Sequence, residues 1–334
     1  MLETAKETSF LLQQKISIEH LPFRPARGLS SPHIQTILPI FLSKRGKEPS
    51  FAPYFIQLED GDALYCKIST PATWRPQDQT ILMLHGLAGS DNSLYMVRMS
   101  RKFYQAGYRV LRINLRGSGQ GIHFARRPYH GGTSHDVLQV IKTLKRQMPE
   151  SPLVLIGFSL GGNIALKLLG ELGENALALI DMVIAICAPI DLAQTMELLF
   201  HRSNHFYHQY YIKALKQMVG SRWIGKRKIH SLRDFDHQVT APQWGFRDAF
   251  DYYQQCSAKF FLPHIRQNCH LIFAADDPFI DYRAAIQNSL SSNVKIWLSQ
   301  YGGHMGFWGW AGKEHGYNWL DALLLKFAKK DFII

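Results

Sequence analysis

The chain has 334 residues, of which 46% are hydrophobic, 12% aromatic and only 19% charged. Apolar content at this level excludes disorder, and the length suits one large α/β domain with an insertion, or two ordinary domains. Against 26 Asp and Glu stand 38 Lys and Arg, a formal net charge of +12, which favours encounter with anionic surfaces and carries no information about fold.

Cys66, Cys187, Cys256 and Cys269 are widely scattered with no C-x-x-C pair, so reduced thiols in a cytoplasmic protein are expected. Residues 1–50 read as an N-terminal extension packed on the core. Its first nine residues lack the basic start and apolar run of a secretory signal, and Ser30, Ser31 and Pro32 read as a loop. Residues 51–69 alternate around Glu59, Asp60, Gly61 and Asp62, the pattern of a β-hairpin. From residue 80, short apolar runs at 81–84, 109–113, 153–156, 182–186, 271–275 and 294–298 alternate with helix-length amphipathic stretches. That rhythm predicts a mostly parallel sheet with right-handed crossovers. The strongest apolar window, 176–193, contains Asp181, Pro189 and Asp191 and falls short of the ~20 apolar residues of a spanning helix.

The run 81–84 ends in His85, Gly86, Leu87, Ala88 and Gly89. A glycine in such a loop lets backbone approach a reacting carbonyl, and the Leu87 N–H is a candidate oxyanion donor; His85 reads as a packed loop residue. Gly117, Gly119 and Gly121 follow the next strand, but Ile122 stands where G-x-G-x-x-G needs its third glycine, which argues against a dinucleotide site. The run 153–156 leads into Gly157, Phe158, Ser159, Leu160 and Gly161, with a helix beginning near Asn163. This is the context of a nucleophile elbow. The serine sits on a strained turn that projects its hydroxyl, Gly157 and Gly161 stand where backbones nearly touch, and Leu160 supplies the second oxyanion N–H.

Between residues 191 and 263 the alternation stops, and short helices rich in aromatic and basic residues read as a cap over the carboxyl edge of the sheet. Residues 220–226 read G-x-x-x-x-G-K, but Arg227 occupies the Ser/Thr position of a P-loop and no strand precedes it. His201, His205 and His208 have helical spacing, yet Arg202 stands where a zincin has glutamate, so a solvated face is preferred to a metal site. Arg202, Lys213, Lys216, Arg222, Lys226, Arg227, Lys228 and Arg233 interleave with Phe206, Tyr207, Tyr210, Tyr211 and Trp223. Such mixing suits contact with an anionic membrane surface; the competing reading is a solvated basic rim with the aromatics packed inward. No nucleic-acid motif accompanies the charge.

The run 271–275 leads into Asp276, Asp277 and Pro278, where either carboxylate could orient an imidazole. Asp277 precedes proline, which biases it to extended backbone, and is preferred; Asp276 stays open. Of fifteen histidines only His304 and His315 follow these acids, as the order serine, acid, histidine requires. His304, in a Gly-rich loop after the last strand, is preferred to His315.

The segments SPHIQT (31–36), HGLAGS (85–90), NLRG (114–117), GFSLGGN (157–163), DYYQQCS (251–257), AADDPF (274–279) and GGHMGF (302–307) resemble the YheT-like family of α/β-hydrolases, also described as embryogenesis-associated esterases, in the family's order over about nine tenths of the chain. The resemblance implies the α/β-hydrolase fold, a mostly parallel central sheet flanked by helices with a helical cap insertion. Its core would span 51–190 and 264–334, with the cap at 191–263. It also implies a serine hydrolase acting on carboxylic or lipid esters with Ser159, Asp277 and His304 as charge relay. One departure is visible: Trp244 stands where relatives tend to have histidine. The implied chemistry calls for no cofactor and no metal. An acyltransferase using the same acyl-enzyme, and a non-catalytic binding protein on the same scaffold, are the alternatives.

Overall fold

A computed structural model describes residues 18–329; the reading of the first nine residues lies outside the described residues. Nine strands form one sheet: β1 (Ile18–His20), β2 (Ala52–Gln57), β3 (Ala63–Ser69), β4 (Thr80–Leu84), β5 (Arg109–Ile113), β6 (Leu153–Phe158), β7 (Met182–Ile186), β8 (Asn268–Ala274) and β9 (Val294–Ser299). Their order is β1-β9-β8-β7-β6-β4-β5-β3-β2. Only the β2–β3 and β3–β5 pairings are antiparallel, and the rest run parallel.

Every residue of β4, β6 and β7 is buried, because crossover helices cover both faces of a parallel sheet. Leu82, Leu155 and Val183 point into one core; Ile81, Met83, Val154 and Ile156 point into the other. The α-helices of eight residues or more among the described residues are α1 (Pro32–Leu42), α2 (Leu94–Gln105), α3 (Ser134–Gln147), α4 (Leu160–Leu172), α5 (Leu192–Phe200), α6 (His205–Ile224), α7 (Ala249–Cys256) and α8 (Trp319–Ala328). The six apolar runs and the hairpin all appear, the turn passing through Gly61 at φ +87°. Two elements within 1–50 were not legible. Strand β1 is three residues long, too short for alternation to register. Helix α1 turns its polar residues inward.

Between β7 and β8 lie α5, α6, α7 and six short helical segments. Helix α6, twenty residues by its bounds, is broken at Gly220 (φ +57°, ψ −166°); it is longer than the short helices expected there. Its inward stripe of His208, Ile212, Leu215, Val219 and Trp223 is buried. Asn163 ties this insertion to the core: its side-chain amide donates to Gly131 O (2.7 Å) and Cys256 O (2.8 Å), and its carbonyl accepts from Ala258 N–H (2.9 Å). Tyr252 Oη accepts from Gly131 N–H (2.8 Å), so the DYYQQCS segment serves as a staple. Trp244 makes a polar contact, donating its indole N–H to Pro128 O (2.8 Å) while Arg127 lies 4.1 Å from its ring.

Candidate active site

The carboxyl ends of β4, β6 and β8 and the loop after β9 meet at one point. Ser159 sits between β6 and α4 at φ +50°, ψ −120°, a left-handed strained turn that aims its hydroxyl outward. The turn is possible because of its glycines. A Cβ on Gly157 would collide with the backbone of Gly161 and Gly162, and one on Gly161 would lie 2.6 Å from Leu84 O and 2.7 Å from His85 O.

His304 reaches this serine from the loop after β9. Its Nδ1–H donates to Asp277 Oδ2 at 2.8 Å, which leaves the lone pair on Nε2 to accept from Ser159 Oγ–H at 3.0 Å. The Asp277 side chain is 1% exposed, and its other oxygen accepts from the N–H groups of Phe279 (3.1 Å) and Ile280 (3.0 Å). The Phe279 ring lies 4.3 Å from the imidazole, shielding it from water. Asp276 points elsewhere, accepting from Gly303 N–H at 2.9 Å, and burial raises its pKa. His315 also lies apart, beside Lys102 at 3.5 Å.

Gly86 approaches the serine so closely that a Cβ there would sit 3.1 Å from Ser159 Cβ. Its N–H donates to Tyr95 Oη (2.9 Å) and the Ala88 N–H to Tyr129 Oη (2.7 Å); between them no hydrogen bond among the described residues uses the Leu87 N–H. The Leu160 N–H opens α4, where first-turn amides lack an intrahelical acceptor. His85 is buried and neutral: Nδ1–H donates to Gly86 O (2.8 Å), Nε2 accepts from Leu115 N–H (3.1 Å), and burial pushes its pKa down to about 4.

Sequence reasoning missed Thr36 and Gln35. Thr36 Oγ1 accepts the His304 N–H at 2.9 Å and donates to Pro32 O at 2.7 Å; Gln35 grips Trp308, accepting from its N–H at 2.7 Å. Helix α1 is thus the seat of the histidine loop. The SPHIQT segment was the available signal, but nothing local tied it to residue 304.

One cluster of metal-ligating types exists among the described residues, Cys187, Asp277 and His304, with ligand atoms within 4.8 Å of one another. The carboxylate and imidazole are engaged with each other and Ser159, and burial first, then the Asp277 charge, holds the Cys187 thiol well above its usual range, disfavouring the thiolate a metal would take. In the insertion, His201 bonds Ser203 (2.8 Å) and His208 accepts from Leu232 N–H (3.1 Å); the three spaced histidines do not converge. Of the interleaved aromatics, Tyr207 and Trp223 are buried, whereas Phe206 and Tyr210 are exposed.

A family model for the α/β hydrolase fold matches residues 79–233. YheT of Escherichia coli (strain K12), a protein named as an esterase, is 30% identical over 90% of this chain and 91% of its own length. The chain belongs to the YheT-like family of α/β-hydrolases. It is a hydrolase of the esterase and lipase type. A monoacylglycerol lipase of Mus musculus is 27% identical over 93% of this chain and 79% of that protein. An esterase of Pyrococcus furiosus shares the fold at a TM-score of 0.58 with 17% identity, over 92% of this chain and 97% of that one. No helix among the described residues is long and apolar enough to cross a membrane.

Proposed function

We propose that this protein hydrolyses carboxylic esters, of short to medium acyl chains or of lipids, through a Ser159–His304–Asp277 triad. The observation that carries the reading is the imidazole of His304 bonded at once to the serine hydroxyl (3.0 Å) and to a buried carboxylate (2.8 Å). His304 Nε2 takes the Ser159 proton as Oγ attacks the ester carbonyl, while Asp277 fixes the tautomer and stabilises the imidazolium. The oxyanion is met by the N–H groups of Leu87 and Leu160, each worth roughly 3 kcal/mol in the transition state. The imidazolium protonates the departing alcohol. Water, deprotonated by the same Nε2, then splits the acyl-enzyme and restores the serine. In this reading the insertion at 191–263 is a cap that encloses the substrate, and the relative named as a monoacylglycerol lipase supports the lipid-ester end of the range.

A fluorophosphonate probe is expected to label Ser159 alone, with p-nitrophenyl esters of increasing chain length turned over by the same preparation. An unlabelled Ser159 would favour a non-catalytic role, and activity confined to the shortest chains would remove the lipid reading. Thr36 acts as a positioning residue. Thr36→Val, which removes the acceptor of the His304 N–H, is expected to lower kcat roughly tenfold with KM unchanged and with rescue by Thr36→Ser; a Val variant as fast as the parent would strip Thr36 of that role.

A further inference from the structure

Helix α1 is inverted relative to an ordinary surface helix, whose apolar stripe faces the core. Its polar side chains face the protein: Gln35 is fully buried on Trp308, Thr36 holds the His304 N–H, and His33 Nδ1 lies 3.0 Å from Tyr207 Oη. The other side carries Ile34, Leu38 and Phe41 at i, i+4 and i+7, one helical stripe in which Leu38 is half-buried, while Ile37 beside it packs against the core. Phe41 is 77% exposed; Ile34, Ile40 and Leu42 are also exposed. Such a set is not scattered surface apolarity but a continuous face.

Two further observations point to what covers it. Helix α6 adjoins α1 through the His33–Tyr207 contact and adds exposed aromatics of its own. There Phe206, 64% exposed, packs edge-on to Tyr207, and Tyr210, 56% exposed, lies one turn on, followed by exposed Lys213. Immediately after α1 come Lys44, Arg45 and Lys47, all exposed, on a chain of net charge +12. An apolar stripe bordered by cations matches acyl chains beneath anionic headgroups. A second copy of the chain fits worse, because a two-fold interface sets each patch against itself and would bring these cations together.

We propose that α1 and the first turns of α6 dock this protein on an anionic phospholipid bilayer. Because α1 seats the loop carrying His304, docking sets the candidate active site at the interface where lipid esters dissolve. Binding itself requires neither Ser159 nor turnover, so it stands or falls separately from the proposed reaction.

The test is sedimentation of the full-length protein with vesicles of phosphatidylcholine, alone or mixed with phosphatidylglycerol. The parent is expected to sediment with the mixed vesicles, less with the neutral ones, and less again at about 0.5 M salt. Phe41→Glu with Ile40→Glu, and separately Lys44→Glu with Lys47→Glu, are each expected to lower partition to mixed vesicles by roughly tenfold or more, with unchanged melting and unchanged hydrolysis of a water-soluble ester. No sedimentation of the parent, equal binding to both vesicle types, or binding indifferent to Phe41→Glu would each overturn the proposal. So would a native dimer that Phe41→Glu converts to a monomer, which would give the face to a second copy.

Discussion

Ser159→Ala is expected to lower kcat for ester hydrolysis by about four to six orders of magnitude, leaving only the residual catalysis that binding and the oxyanion donors provide. The substitution deletes a single hydroxyl whose bond is to His304 Nε2. The strained turn is held by backbone bonds that alanine preserves: Ser159 N–H to Ile186 O at 2.8 Å, and Gly162 N–H to Ser159 O at 2.8 Å. The far-ultraviolet spectrum is therefore expected unchanged and the melting temperature within about two degrees of the parent. Steady-state hydrolysis of a p-nitrophenyl ester by the purified variant reads the effect, and a rate equal to the parent's would end the nucleophile assignment.

Asp277→Asn is expected to cost about 10⁴-fold in kcat. An amide in place of the carboxylate offers an N–H to Nδ1, which turns the imidazole to the wrong tautomer and puts a proton where Ser159 needs an acceptor; it also removes the charge that stabilises the imidazolium. Asp276→Asn is expected to cost less than about tenfold, because an amide oxygen still accepts the Gly303 N–H and Asp276 makes no contact with the imidazole. Parallel pH–rate profiles of the two variants separate them. A greater loss at Asp276 would transfer the role of the acid to it and leave Asp277 as a capping residue.

That the two carboxylates needed the structure to tell them apart reflects what a sequence encodes. Both stand in one dipeptide at the end of β8, and their different directions show only in their partners, the Phe279 and Ile280 N–H groups for Asp277 and the distant Gly303 N–H for Asp276. The elbow was legible because its requirement is local: two glycines at fixed offsets from a serine, between an apolar run and a helix. Thr36 was not legible, lying 268 positions from the residue it holds. Helix α1 was not legible for a related reason: only its packing reveals that Gln35 faces in while Phe41 faces out.

The sequence alone determined the strand runs, the hairpin turn and the strained serine turn, because backbone sterics and the need to bury apolar side chains act over a few residues. Tertiary structure alone decided which acid touches the imidazole, brought that imidazole to a hydroxyl 145 residues away, and turned one helix's apolar side to solvent. These are matters of direction and long-range contact, fixed only when the sheet closes and each side chain competes for a place in a finite core.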